Sequence, residues 1–323
     1  MNHRALLICG LCLGLFFGSV QAKERIFNRT FAVTPGGQLT VDAQGGSIAV
    51  TGSDTSQVVV QVVARGSEEV LDDMTISAEQ NSAGVAVIAK HDTQGWFHWL
   101  FSGGLNLRVT VTVPRQYHLN LKTSGGSLAI SQLHGNVQGA TSGGSVRVED
   151  VQGTVRTFTS GGSIQAERIG GETELRTSGG SITAKEIGGS LSAQSSGGSI
   201  VVDKVNGGLV AHTSGGIIRA GAIGGKIDAD TSGGTVDVEL IGVNRGIRAS
   251  TSGGGVTVRV PRNTAGTIDA STSGGSISCD LPVTATEATG KKLRGVINGG
   301  GAEIYARTSG GGVRIVVRDE VER

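Results

Sequence analysis

The chain has 323 residues, of which 55 are glycine and four proline, with 3% aromatic and 17% charged residues. Its 28 Lys and Arg face 27 Asp and Glu, a formal net charge of +1, which excludes the basic footprint of a nucleic-acid binder. Glycine far above its usual share of about 7% would mark a disordered linker if it were scattered, but here it is periodic, and the scarcity of aromatics excludes a thick core.

Residues 1–22 carry Arg4, an apolar stretch from Ala5 to Phe17, and the end Val20-Gln21-Ala22. That is the pattern of a cleaved secretory signal, and the apolar run is shorter than the ~20 residues a spanning helix needs. The expected mature chain starts at Lys23, has no transmembrane segment, and is exported to the periplasm, the cell surface or the medium. Losing Arg4 leaves 27 basic against 27 acidic residues. Cys9 and Cys12 leave with the signal, so Cys279 stands alone and no intramolecular disulfide is expected. The repeat register puts Cys279 at an inward position, as an inert thiol.

Residues 23–122 read as an irregular β lead-in and N-terminal cap. The runs 57–63, 85–88 and 107–113 are strand-like, and Gly45-Gly46-Ser47-Ile48-Ala49-Val50 is an early copy of the later repeat. One stretch breaks the pattern: residues 95–104 hold both tryptophans and two phenylalanines. Two readings stand for Trp96, Phe97, Trp99, Leu100 and Phe101. They form a hydrophobic lid over an open end, the favoured reading, or a protruding loop that binds a partner.

Residues 123–323 are a β-solenoid repeat region. The serine of Ser-Gly-Gly falls at 124, 142, 160, 178, 196, 214 and 232, a period of 18, then at 252, 273 and 309. Counting that serine as position 1, positions 5, 7 and 10 are apolar, positions 14 and 16 mostly so, and position 18 is Thr or Ser. The alternation predicts two or more short strands per repeat with one buried face. The glycines at positions 2–3 and 11–12 are expected to supply the positive φ of tight corners. Coils of a solenoid and an antiparallel meander both fit. Opposite charges spaced one repeat apart favour stacked coils: Asp150 with Arg168, Glu186 with Lys204, Lys185 with Glu167 and Asp203, Arg219 with Asp237, and Asp228 with Arg248. The fold class is therefore all-β, a single-chain β-solenoid with 18-residue coils and an irregular β N-terminal cap. Two versus three strands per coil stays open.

The secretion signal, the lead-in Pro35-Gly36-Gly37-Gln38-Leu39-Thr40-Val41, Val-Thr-Val-Pro at 111–114 and the tandem Thr-Ser-Gly-Gly-Ser-Ile units together resemble the bacterial putative-adhesin β-strand-repeat family. The resemblance covers essentially all of the mature chain. It implies a β-solenoid in the cell envelope and brings no catalytic residues to carry over.

The residues themselves point the same way. Asp228, Asp230, Asp237 and Glu239 all face outward by alternation and are placed to pair with Arg219 and Arg248, the mark of a solvated face rather than a catalytic acid cluster. His212 and Asp230 are neighbours across coils, but the next residue beyond Asp230 is Ser250, the wrong order for a triad. The scattered histidines lack zinc spacing, and no helix follows the Gly-rich segments to make a phosphate site. No catalytic residue, metal or cofactor is expected. The expected function is a non-catalytic structural or adhesin-like interaction module whose partner is an envelope protein or a glycan. The alternative is a polysaccharide-binding or polysaccharide-cleaving β-helix protein.

Overall fold

The computed structural model describes residues 23–91 and 105–318; the expected signal lies outside the described residues. In the regular region every repeat makes two strands. Positions 5–10, as in Val146–Val151, join a first sheet, and positions 14–18, as in Val155–Thr159, join a second. Val146 pairs in parallel with Leu128 on one side and Ile164 on the other, each one period away. A meander would pair neighbours antiparallel. The chain is therefore a β-solenoid, with two strands per coil. The first sheet holds 14 strands and the second 15. At one strand spacing per coil the stack rises roughly 60 Å.

The core lies between the sheets. Ile164, Ala166 and Ile169 of one coil face Leu175 of the same coil, and all four are 0–1% exposed. The buried side chains are Ile, Val, Leu, Ala and Thr almost throughout, so the layer is thin, as the aromatic count requires.

Positions 8 and 9 both face out before position 10 turns in, which breaks strict alternation. The cause is a bulge repeated in every regular coil. Gln132, Asp150, Arg168, Glu186, Lys204 and Ala222, all at position 9, have φ between 53° and 61°. The glycines of the regular corners are not in that region. The expectation that they supply positive φ is thus corrected: non-glycine residues carry the left-handed turn. The glycines serve close approach instead. A Cβ on Gly162, position 3, would stand 2.1 Å from the carbonyl oxygen of Gly144 one coil below. In the coil after Ala222 the bulge is lost, so Leu240 takes the inward place and Ile241, expected inside, is 39% exposed.

Position 18 forms a buried hydroxyl column. Thr159 donates to the Gly144 carbonyl at 2.8 Å and accepts from the Gly162 amide at 3.3 Å. Thr141, Thr177, Ser195 and Thr213 repeat the arrangement.

The cross-coil charges are realised in part. Asp150 and Arg168 meet at 2.5 Å, Glu186 and Lys204 at 3.4 Å, and Asp228 and Arg248 at 4.0 Å. Arg219 and Asp237 are in register, but Asp237 pairs with Arg259 of the coil on its other side. Lys185 stands in register with Glu167 and Asp203 and pairs with neither; Glu167 pairs with Arg168. Such exposed pairs contribute ~0–1 kcal/mol each, so they help fix register rather than hold the stack.

Both ends are threaded out of sequence order. The coil of Gln38–Ala43 and Ser47–Ser53 stacks on His118–Thr123 and Leu128–Leu133. Outside it lies the later coil of Gly84–His91 and Asn106–Pro114. Antiparallel strands finish that end: Met74–Asn81 on the second sheet, and Gln57–Gly66 followed by Lys23–Ala32 on the first. At the other end Glu303–Thr308 and Val313–Val317 enter between the coil 247–260 and the coil 266–279. The strands Lys292–Ile297 and Val283–Ala288 then extend the second sheet in antiparallel pairing. The single short helix among the described residues, Glu68–Asp72, joins two end strands.

Candidate functional site

The outward side chains of the second sheet come from positions 15 and 17, because positions 14, 16 and 18 point into the core. Stacking turns these positions into two parallel columns of side chains. Along the columns run three adjoining depressions of about 450, 510 and 450 Å³. Arg156 and Glu174 line two of them, and Phe158 and Arg176 also line two, so the three form one groove.

The groove has a local cause in the sequence. Ala140 is in register between Lys122 and Phe158, so the position-17 column has a notch there, one methyl deep. Phe158 rises at the edge of the notch and is 45% exposed. Beyond it the column continues through Arg176, Gln194 and His212 to Asp230.

The charges in the groove are partly spent on each other. The Glu174 carboxylate lies 2.6 Å from Arg176 and 3.6 Å from Arg156. Lys122 has no ion pair. The section at the Asn120 end is lined by three cations, Lys122, Arg156 and Arg176, and by one carboxylate, Glu174. The far end is acidic: Asp228 pairs with Arg248, and Asp230 accepts from the Ser250 hydroxyl.

Two aromatic rings on this face have opposite environments. Tyr305 is flanked by two guanidinium groups, Arg248 at 4.8 Å and Arg307 at 5.6 Å from the ring centre. Phe158 has Arg176 beside it in register, but that guanidinium turns to Glu174 and does not lie over the ring. The Phe158 ring is left open to the groove.

The four acids read together in the sequence do not lie together. Asp228 and Asp230 are on the second sheet; Asp237 and Glu239 are on the first, across the core. Asp237 pairs with Arg259, and Glu239 with Arg318 at 3.6 Å. His212, Asp230 and Ser250 stand in register in that order, with the carboxylate rather than the imidazole in the middle. Cys279 is half-buried in the end coil, its thiol 3.7 Å from the Leu281 carbonyl, and burial raises its pKa. Among the described residues no group of His, Cys, Asp or Glu is placed to hold a metal ion, and no helix is long and apolar enough to cross a membrane.

Trp96, Phe97, Trp99, Leu100 and Phe101 lie outside the described residues. The strands on either side of them are described. Ala89 and Thr123 both pair with Ala43, while Val109 and Leu128 both pair with Ile48. The groove opens onto the column of Ser-Gly-Gly corners, through Ser196, Ser214 and Ser232. Sequence reading missed Phe158, although its odd place in the alternation (position 17) marks it as an outward aromatic.

The model of the Toastrack DUF4097 family matches residues 37–316. Among solved structures, a "putative adhesin" from Bacteroides fragilis is 12% identical over 91% of this chain and 97% of its own, with a TM-score of 0.35. A "putative adhesin" from Parabacteroides merdae is 8% identical over 91% and 97%, with a TM-score of 0.36. A "putative lipid binding protein" from Parabacteroides distasonis is 12% identical over 91% and 97%, with a TM-score of 0.27. No curated protein matches the chain.

Proposed function

The chain belongs to the Toastrack DUF4097 family, and we propose that it is an exported, non-catalytic, adhesin-like interaction module of the cell envelope. The observation that carries this reading is the groove along the second sheet, which runs across successive coils from Asn120 to Asp230. A rigid stack with an extended groove suits recognition of an extended partner, as in other solenoids. Trp96, Phe97, Trp99, Leu100 and Phe101 act as a second contact, because this aromatic run holds both tryptophans of a chain with few aromatics and breaks the repeat pattern. Cleavage of a polysaccharide is disfavoured, because the outward acids are divided between opposite sheets and paired with arginine or serine.

In-cell photo-crosslinking from positions 99 and 158, with position 183 on the first sheet as control, tests the reading. The expected result is the same envelope component attached from 99 and 158 and none from 183. Equal adducts from all three positions, or none from 158, overturn it. Release of reducing sugar from any polysaccharide incubated with the protein overturns the non-catalytic part.

A further inference from the structure

We propose that the Asn120 end of the groove is a binding site for a linear acidic polysaccharide, with Phe158 as the stacking platform and Lys122, Arg156 and Arg176 as the partners of its carboxylates. This rests on the interaction-module reading and names its ligand.

The first argument is the ring. A half-exposed phenylalanine on a sheet face loses the benefit of burial unless something covers it. Tyr305, on the same face, is covered by two guanidinium groups of the protein. Phe158 has no such cover, and Ala140 next to it keeps the space beside the ring open. The C–H face of a pyranose ring fits there, with aromatic area buried against it.

The second argument is charge. The lining of this section carries three cations and one carboxylate, in a chain whose 28 basic residues nearly match its 27 acidic ones. Glu174 lies 2.6 Å from Arg176 and 3.6 Å from Arg156. Each guanidinium carries five N–H donors, so both keep donors for a further carboxylate, and Lys122 is unpaired. A neutral sugar would use the ring and leave the cations idle.

The third argument is repetition. Asn120, Gln138, Arg156 and Glu174 follow one another at one strand spacing, about 4.8 Å, along the groove. A linear glycan advances by a comparable length per sugar, so successive sugars meet successive polar side chains. A globular protein partner would instead need a broad apolar patch, and this section presents one large exposed apolar side chain, Phe158.

Affinity electrophoresis and calorimetry with polygalacturonate and alginate, with dextran as the neutral probe and phosphatidylglycerol vesicles as the lipid probe, test this. Both uronate polymers should bind and dextran should not, and binding should weaken as salt rises. Phe158→Ala and Arg176→Gln should each weaken binding by about tenfold, with melting temperature unchanged. Ala140→Leu, which fills the notch without touching the charges, should also weaken it. Equal binding of dextran, binding to the vesicles alone, or uronate binding unchanged in all three variants overturns the proposal. Crosslinks from position 158 to an envelope protein, with no uronate binding, would sink this proposal while leaving the interaction-module reading standing.

Discussion

The hydroxyl of Thr177 donates to the carbonyl of Gly162, in the corner one coil below, at 2.8 Å. It also accepts from the Gly180 amide in its own corner at 3.2 Å. One side chain thus satisfies two backbone groups where the chain leaves the second sheet. The same contact recurs from Thr123 to Thr308. Thr177→Val keeps the shape and orphans both groups, an expected cost of about 1–3 kcal/mol. Thr177→Ser should cost little, because Ser195 already serves in the next coil. Urea unfolding of both variants checks this, and equal stabilities would show that water replaces the bridge.

The two glycines of each corner are not equivalent. A Cβ on Gly180 would sit 2.1 Å from the Gly162 carbonyl oxygen, whereas one on Gly179 has its nearest neighbour at 3.4 Å. Neither has a positive φ. Gly180→Ala must therefore pry two coils apart and is expected to cost more than about 3 kcal/mol. Gly179→Ala is expected to be neutral or to stabilise by up to about 1 kcal/mol, by restricting the unfolded chain. Thermal unfolding of the pair separates the two roles, and equal losses would refute the distinction.

That contrast shows where the sequence stops being readable. The period, the strand faces and the identity of the core are legible, because Ile164, Ala166 and Ile169 recur at fixed offsets in every repeat. The purpose of each glycine is not, since a need for φ > 0 and a need for close approach select the same residue. The left-handed column is hidden for the opposite reason. Asp150, Arg168, Glu186 and Lys204 look like ordinary surface charges. The threading of both ends is also hidden, because residues 303–317 match the pattern of any coil and nothing local says where they insert. At the site, the outward place of Phe158 is legible from alternation alone. Its open ring is not, since that depends on Ala140 in the coil below and on Arg176 turning to Glu174.

Ala222 has φ 53° and no ion pair, so it isolates the cost of the left-handed bulge. A non-glycine residue there costs roughly 1–2 kcal/mol, part of which is regained through the stiffer unfolded chain. Ala222→Gly should therefore stabilise by up to about 1 kcal/mol, and Ala222→Val should destabilise. Guanidinium unfolding midpoints of the two variants should move in opposite directions; a shift in the same direction would remove strain as the explanation.

The Arg168 hydrogen bond, with a smaller coulombic pull, holds the Asp150 carboxyl below its usual pKa. A depressed folded-state pKa adds stability that is present above the unfolded value near ~3.9 and disappears as pH falls through the folded value. Asp150→Asn should therefore be slightly less stable than the parent chain at pH 7. The difference should vanish in strong acid and shrink in high salt, as for any exposed pair. A difference that persists in strong acid would point to packing rather than charge.

Asn244 ties the threaded C-terminal end together. Its amide donates to the Ala265 carbonyl at 3.1 Å and to the Ala302 carbonyl at 2.8 Å. Those carbonyls lie at the entries to the outermost coil, 266–279, and to the inserted coil, 303–317. The contact therefore spans both interfaces made when the chain returns into the stack. Asn244→Ala removes a donor from each carbonyl, leaving Ala302 only the longer contact from the Thr267 amide, and should loosen this end. In a solenoid each coil touches only its neighbours, so the damage should stay local. Hydrogen exchange is expected to accelerate across residues 261–317 and to stay unchanged across residues 128–213. Uniform acceleration along the chain would mean that the stack unfolds as one unit, with the inserted coil coupled to every other.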